Sequence, residues 1–263
     1  MLAHRELGDG ERPVLFVHGL FGRGRDLEPF ASAVLDGQPE VRGLIPDLLA
    51  HGDSPQLPRQ ADLSVMAGAL VRWLDGLGVK TRVPVVAHSM GGRIALRLHE
   101  RFPGRLGPFV FLDTPAGTVA EKRSPLSPFL RALALAPDRA ATEAALLEPF
   151  GRVMMGPTLK GWIHSRVVSI EDGFGWNFDR RALVEYRNNT LSEDLWSVVE
   201  ALGGEHLTLF VPKLSVYVRR EERTRYVAAG VGVHVLEGAK HDLYDGMPRD
   251  FIVRIRDLLE ISR

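Results

Sequence analysis

The sequence predicts an α/β protein: a mostly parallel sheet with helices on both faces, interrupted by a helical insertion. Three observations predict it. Short apolar runs alternate with amphipathic helical stretches through the first 113 residues. Small or polar residues punctuate the carboxyl ends of those runs. The alternation then stops for about ninety residues, to resume near the C-terminus. Strand and helix in strict alternation favour a parallel sheet, and ligands of such sheets bind at the carboxyl ends of the strands.

Each element follows from its pattern. Val14–His18 (VLFVH) is a short apolar run closed by Gly19, as a buried strand should be. Leu27–Leu35 has apolar residues at helical spacing, and Val41–Pro46 (VRGLIP) reads as a second strand ending in Asp47. Leu63–Leu77 is helix-periodic and stops at Gly78. Pro84–His88 (PVVAH) is a third buried strand, Gly92–Phe102 the helix after it, and Pro108–Leu112 (PFVFL) a fourth strand ending at Asp113.

From Thr114 to about His206 no convincing strand is visible. Prolines at 115, 125, 128, 137, 149 and 157 cut the segment into short helical pieces. Strand character returns at Leu214–Val218 (LSVYV) and Val231–Leu236 (VGVHVL), with helices expected near Glu222–Ala229 and Phe251–Ile261. The expected division is therefore a core domain from residues 1–113 and 207–263 and a helical cap from residues 114–206.

Composition removes several classes. The 263 residues carry formal net charge zero, with 33 basic and 33 acidic residues, so no basic stripe points to nucleic acid. No cysteine is present, which excludes disulfides, thiolate metal sites and cysteine nucleophiles. The opening residues MLAHRELGDGERP have charges but no apolar stretch behind them, unlike a secretory signal. No apolar run is long enough to span a bilayer. A cytoplasmic protein acting on a small molecule is expected, with no metal or organic cofactor; assembly into a homo-oligomer is left open.

The chemistry-bearing signal is Ala87-His88-Ser89-Met90-Gly91-Gly92, between a strand and a helix. A sharp strand-to-helix turn exposes a serine hydroxyl as a nucleophile, and crowding there demands small flanking residues. Ala87 stands where glycine is usual. His18-Gly19-Leu20-Phe21-Gly22 follows the first buried strand. Acyl transfer needs two backbone N–H groups aimed at the developing oxyanion. Met90 and Leu20 are the candidates, with Phe21 second to Leu20. His18 is expected to fix this loop by hydrogen bonding.

Of the nine histidines, His241 lies on the loop after the last strand, in EGAKHD, and is the candidate general base. His88 is expected to face away from the serine hydroxyl. The base needs an acid to orient it. Glu221, after Leu214–Val218, and Asp113, after Pro108–Leu112, compete; Asp242 adjoins His241 too closely to reach its ring.

The motifs HGLFG (18–22), PDLLAHGDS (46–54), HSMGG (88–92) and GAKH (238–241) resemble the α/β-hydrolase superfamily along nearly the whole chain. HGLFG with FLDTP (111–115) and WNFD (176–179) is similar to the small capped bacterial esterases. The resemblance implies an α/β-hydrolase fold with an eight-stranded, mostly parallel sheet and a helical cap after the sixth strand. It implies a Ser-acid-His order in the chain, and it places Glu221 where the acid belongs in the motif beginning at Pro212. Glu221 is therefore preferred over Asp113, which the family also carries near the triad.

The implied reaction is hydrolysis of a carboxylic ester or thioester of a small, partly apolar substrate through an acyl-enzyme. Phe21, Phe129, Trp162 and Trp176 are candidate substrate contacts, with Met90 and Phe174 beside them. The competing interpretation of these aromatics is a cap core. The same residues also suit acyl transfer, C–C hydrolysis, a lyase step or perhydrolysis; a non-catalytic ligand receptor is the reading from another class.

Overall fold

A computed structural model of the chain describes residues 1–118, 127–153, 157–190, 192–204 and 206–261. Its centre is a seven-stranded sheet built from β1 (His4–Leu7), β2 (Arg12–Val17), β3 (Val41–Pro46), β4 (Val83–His88), β5 (Leu106–Leu112), β9 (Leu207–Pro212) and β10 (Gly232–Leu236). The order across the sheet is β1-β3-β2-β4-β5-β9-β10. Edge strand β1 runs antiparallel to β3, and the pairings from β3 to β10 are parallel.

Alternate residues of the inner strands serve two different cores. Leu15 and Val17, Val85 and Ala87, Phe109 and Phe111, and Leu209 and Val211 turn to one face. Val14 and Phe16, Val86, Val110 and Leu112, and Phe210 turn to the other. Side chains alternate along a strand, and a parallel sheet covered on both faces must therefore be apolar at nearly every inner position. This is why those strands read as continuous apolar runs. Helices α2 (Leu63–Gly76) and α3 (Met90–Arg101) pack on the first face through Met66, Leu70, Trp73, Ile94 and Leu98. Helices α1 (Gly24–Leu35) and α10 (Arg249–Leu258) close the second through Leu27, Phe30, Phe251 and Ile255.

The chain between β5 and β9 adds no strand to this sheet among the described residues. It holds α4 (Ser127–Leu135), α5 (Glu143–Leu147), a 3-10 turn (Glu148–Arg152), α6 (Pro157–His164), α7 (Arg180–Thr190) and α8 (Trp196–Leu202). It also holds a three-stranded antiparallel sheet of β6 (Arg139–Ala140), β8 (Gly173–Trp176) and β7 (Val167–Ile170), where no strand was expected. These strands are two to four residues long, too short for a periodic signal.

Two further expectations are corrected. The sheet has seven strands among the described residues, not eight. The strand entering the C-terminal part is β9 at Leu207–Pro212, not Leu214–Val218. LTLFVP is apolar toward both cores and pairs with β5 from Phe109↔Leu207 to Leu112↔Phe210. LSVYV alternates, but Leu214 is 85% exposed, Val216 is 44% exposed, and Ser215 folds the segment into turns. Helix α9 (Arg220–Ala228) follows at once.

The segment over the strand ends is pinned to the core by buried charge. Arg93, on α3 and 5% exposed, donates from Nη1 to Pro115 O and Gly117 O and from Nη2 to Thr190 O and Glu193 O, at 2.7–3.2 Å. Arg166 Nη1 lies 2.7 Å from Asp26 on α1. Residues 50–52 pair with 177–179: Gly52 N donates to Asn177 O at 3.0 Å and Asp179 N to Ala50 O at 2.8 Å.

At the exit from β5, Glu222 of α9 accepts the Gly117 N–H through Oε1 at 3.0 Å, while Oε2 is buried without a partner among the described residues. Burial, the largest influence, pushes its carboxyl up to about 6 from 4.5.

Replacing Arg93 with Met strands four carbonyls and should lower the unfolding free energy by about 3–5 kcal/mol in urea titrations. Glu222 offers a pH-resolved check. A raised carboxyl pKa means that the fold binds its proton more tightly than the unfolded chain does. Stability therefore falls as pH rises from about 4.5 through about 6. Glu222→Gln should raise the urea midpoint at pH 7.5 and leave it nearly unchanged at pH 4.

Candidate active site

Ser89 sits between β4 and α3 with φ +52° and ψ −117°, a conformation L-residues rarely adopt. Its amide donates to Leu112 O of β5 at 2.9 Å and its carbonyl accepts Gly92 N–H at 3.1 Å, so neighbouring elements hold the bend. Such strain costs roughly 1–3 kcal/mol and persists only where the surroundings over-determine it. Gly91 is required by approach: a Cβ there would lie 2.6 Å from His18 O and 2.7 Å from Val17 O. A tight bend stands between strand and helix at Ser89 as expected, with the helix beginning at Met90, two residues before the expected start at Gly92.

His241 follows β10 on a loop. Its Nδ1 lies 2.7 Å from Asp113 Oδ2, so an Nδ1–H donates to that carboxylate and leaves Nε2 as the acceptor. Asp113 caps β5 with φ +47° and is fully buried. Its other oxygen accepts the Ser215 hydroxyl at 2.6 Å, and Ser215 Oγ in turn accepts the Tyr217 and Val218 amides at 3.2 and 2.9 Å. Each oxygen of the buried carboxylate is thus engaged by one donor. Tyr217 lies against the imidazole, ring centroids 4.3 Å apart.

The preference for Glu221 is corrected by this geometry. Because β9 ends at Pro212 and α9 starts at Arg220, Glu221 falls in the first helical turn. It is exposed there, where a carboxylate suits the helix dipole. Its half-buried neighbour Glu222 binds Gly117 instead. Ser215 was not foreseen; a serine in a turn carries no sequence signal until the partner carboxylate is placed.

His88 also departs from expectation. It lines the same cavity as Ser89 and donates from Nε2 to the His241 carbonyl at 3.0 Å, its ring 4.5 Å from the His241 ring. Burial, then the neighbouring His241, lower its pKa to about 3, so it stays neutral. His18 fixes the loop after β2 as expected: Nδ1–H donates to Gly19 O at 2.8 Å, and Nε2 accepts Leu48 N–H at 3.0 Å. Burial lowers its pKa too.

Ser89, His241, Leu20 and Met90 line one cavity of about 390 Å³. Met90 is the first residue of α3, so its N–H has no acceptor within the helix. Phe21, the second oxyanion candidate, gives its N–H to His51 Nε2 at 3.0 Å. Of the aromatics, Phe21, Phe129 and Trp162 line the cavity. Trp176 does not: its Nε1–H donates to Pro137 O at 2.9 Å and it packs on Phe150 and Phe178. For Trp176 the core reading of the aromatics holds. Among the described residues no cluster of three or more His, Asp or Glu could hold a metal, and no helix is long and apolar enough to cross a membrane.

Comparison with known proteins agrees with this architecture. Residues 12–166 match the family model described as the alpha/beta hydrolase fold. Lipase LipV of Mycobacterium tuberculosis is 32% identical over 182 residues, covering 67% of this chain and 66% of the lipase. A putative non-heme haloperoxidase of Mycobacterium phage D29 is 30% identical over 40% of this chain and 37% of its own. The matches thus span less than two thirds of these relatives. Among solved structures, a marine microorganism esterase superposes with TM-score 0.81 at 20% identity over 98% of both chains. E-2-(acetamidomethylene)succinate hydrolase gives 0.75 at 18% over 98% of this chain and 95% of its own. With the family model covering more than half its length and the same fold recurring across these structures, the chain belongs to the α/β-hydrolase family.

Proposed function

We propose that this protein is a serine hydrolase of carboxylic esters, thioesters included, acting through Ser89, His241 and Asp113. The observation that carries the reading is the 2.7 Å contact of His241 with a buried, doubly engaged Asp113, in the cavity onto which the strained Ser89 opens. Relatives named lipase and esterase support the same class, and a thioesterase domain shares the fold.

In this reading His241 Nε2 takes the Ser89 hydroxyl proton as Oγ attacks the acyl carbonyl. The Leu20 and Met90 amides receive the oxyanion. The tetrahedral intermediate collapses, and the imidazolium gives its proton to the leaving alcohol or thiol. Water then enters, gives a proton to His241 and attacks the acyl-enzyme; collapse returns the proton to Ser89 and releases the acid. Asp113 keeps the imidazole in the tautomer with Nε2 free and stabilises the imidazolium without taking its proton. Ser215 holds Asp113, and His88 holds the backbone of the His241 loop. The wall of Phe21, Phe129 and Trp162 favours a compact apolar acyl or alcohol group, and residues 114–206 act as the cap that supplies Phe129 and Trp162.

Assays with p-nitrophenyl acetate and butyrate test this. Wild type should turn both over and be labelled by a fluorophosphonate probe; Ser89→Ala should lose labelling and roughly 10⁴-fold or more of kcat. Asp113→Asn should lose about 10³–10⁴-fold in kcat, whereas Glu221→Gln, an exposed change, should stay within about twofold. The reverse ranking would return the acid role to Glu221. Folded wild type that neither labels nor turns over either ester would favour a ligand receptor.

A further inference from the structure

The turn that carries Leu20 stands in a conformation its sequence disfavours. Gly22 N donates to Gly19 O at 3.1 Å, closing a turn with Leu20 and Phe21 at its centre. Phe21 has φ +61°, and Leu20 has no positive φ. That combination is a type II turn, whose third position normally takes glycine. In a type I turn the central peptide is turned over, and Phe21 would escape positive φ. A bulky residue at positive φ is an outlier that its surroundings must hold.

Two contacts hold it. The Phe21 ring is packed 5.3 Å from Phe178 and 6.3 Å from both Phe129 and Trp162. Its backbone N–H donates to His51 Nε2 at 3.0 Å. The acceptor state of that nitrogen is itself fixed, because His51 Nδ1–H donates to Leu49 O at 2.9 Å. Full burial, the dominant influence, lowers the His51 pKa and keeps the ring neutral. Turning the peptide over would aim the Leu20 carbonyl at this lone pair, so repulsion would replace the hydrogen bond. His51 is seated in turn by the overlying segment: its backbone bridges to Phe178, flanked by the Gly52–Asn177 and Asp179–Ala50 bonds.

We propose that His51 is a positioning residue for the oxyanion site: by accepting the Phe21 N–H it locks the Leu20–Phe21 peptide in its type II orientation, keeps the Leu20 carbonyl turned away, and so fixes the turn whose preceding peptide carries the Leu20 N–H beside the cavity. This rests on the serine-esterase reading of the same cavity. It assigns His51 an effect on the transition state, where charge develops on the acyl oxygen, and little effect on ground-state binding. It also makes residues 177–179 part of the support for the chemistry, in addition to covering it.

His51→Leu and His51→Gln separate this role from a merely structural one. Leu removes the acceptor at similar volume; Gln keeps a carbonyl acceptor. The readouts are kcat and KM for p-nitrophenyl acetate, inhibition by phenylboronic acid (a tetrahedral adduct of the serine) and thermal unfolding. His51→Leu should lose about 10–10²-fold in kcat, with KM nearly unchanged and boronate affinity weakened by a matching factor. His51→Gln should recover part of both. If the Leu variant does not fold, a parallel loss of kcat and boronate affinity in His51→Gln relative to wild type carries the same information. Unchanged kcat and boronate affinity in the folded variants would overturn the proposal. So would a loss confined to KM or thermal stability, or equal impairment by Leu and Gln. Wild type that neither hydrolyses the ester nor binds the boronate would overturn the esterase reading itself.

Discussion

A carboxylate taken wholly out of water organises this molecule. Asp113 is buried at the end of β5, and its position is affordable only because a hydroxyl and an imidazole N–H reach it at 2.6 and 2.7 Å. Those partners come from the loops after β9 and β10, more than a hundred residues away. Building the pocket around Asp113 therefore requires β5, β9 and β10 to lie side by side in register, as they do. Ser89 completes the arrangement from β4 on the other side of β5, its own amide bonded to Leu112 O. The adjacency of β5, β9 and β10 thus becomes the contact of Asp113 with Ser215 and His241, and Ser89 shares the cavity that His241 lines.

The same logic governs the polar groups around the cavity. His18, His51 and His88 are buried and neutral, the first two with both ring nitrogens bonded to backbone and His88 with its Nε2. They serve as fixed donors and acceptors that tie loops together, and burial lowers the pKa of each ring and keeps it neutral. Arg93 plays a matching part between α3 and the overlying segment, feeding four carbonyls from one guanidinium. Because Arg93 lies one turn after Ser89 on α3, the segment between β5 and β9 and the Ser89 bend share a single support.

The legible parts of the sequence were those set by local geometry plus burial. β3 and β4 read directly, because a strand covered on both faces is apolar throughout. The serine bend read directly, because its glycine is forced by contact with His18 and Val17 backbone. What failed was tertiary. β1 (HREL) is an edge strand with mostly polar side chains, recognisable only from its pairing with β3. LSVYV alternates like a strand but lies in turns, whereas LTLFVP beside it pairs on both edges. With the strand placed there, Glu221 falls at the position the resemblance gives the acid, whereas in the structure the carboxylate that reaches His241 is Asp113. The small β6-β8-β7 sheet, the Ser215 hydroxyl and the His51–Phe21 bond likewise depend on partners distant in sequence.

A crystal structure of the fluorophosphonate-treated protein tests the account most directly. The account predicts phosphorus bonded to Ser89 Oγ, with a phosphoryl oxygen about 2.7–3.1 Å from the Leu20 and Met90 amides. It also predicts that His241 Nδ1 remains on Asp113. Phosphorus on another residue, a phosphoryl oxygen turned away from both amides, or an imidazole bonded to Glu221 would contradict it.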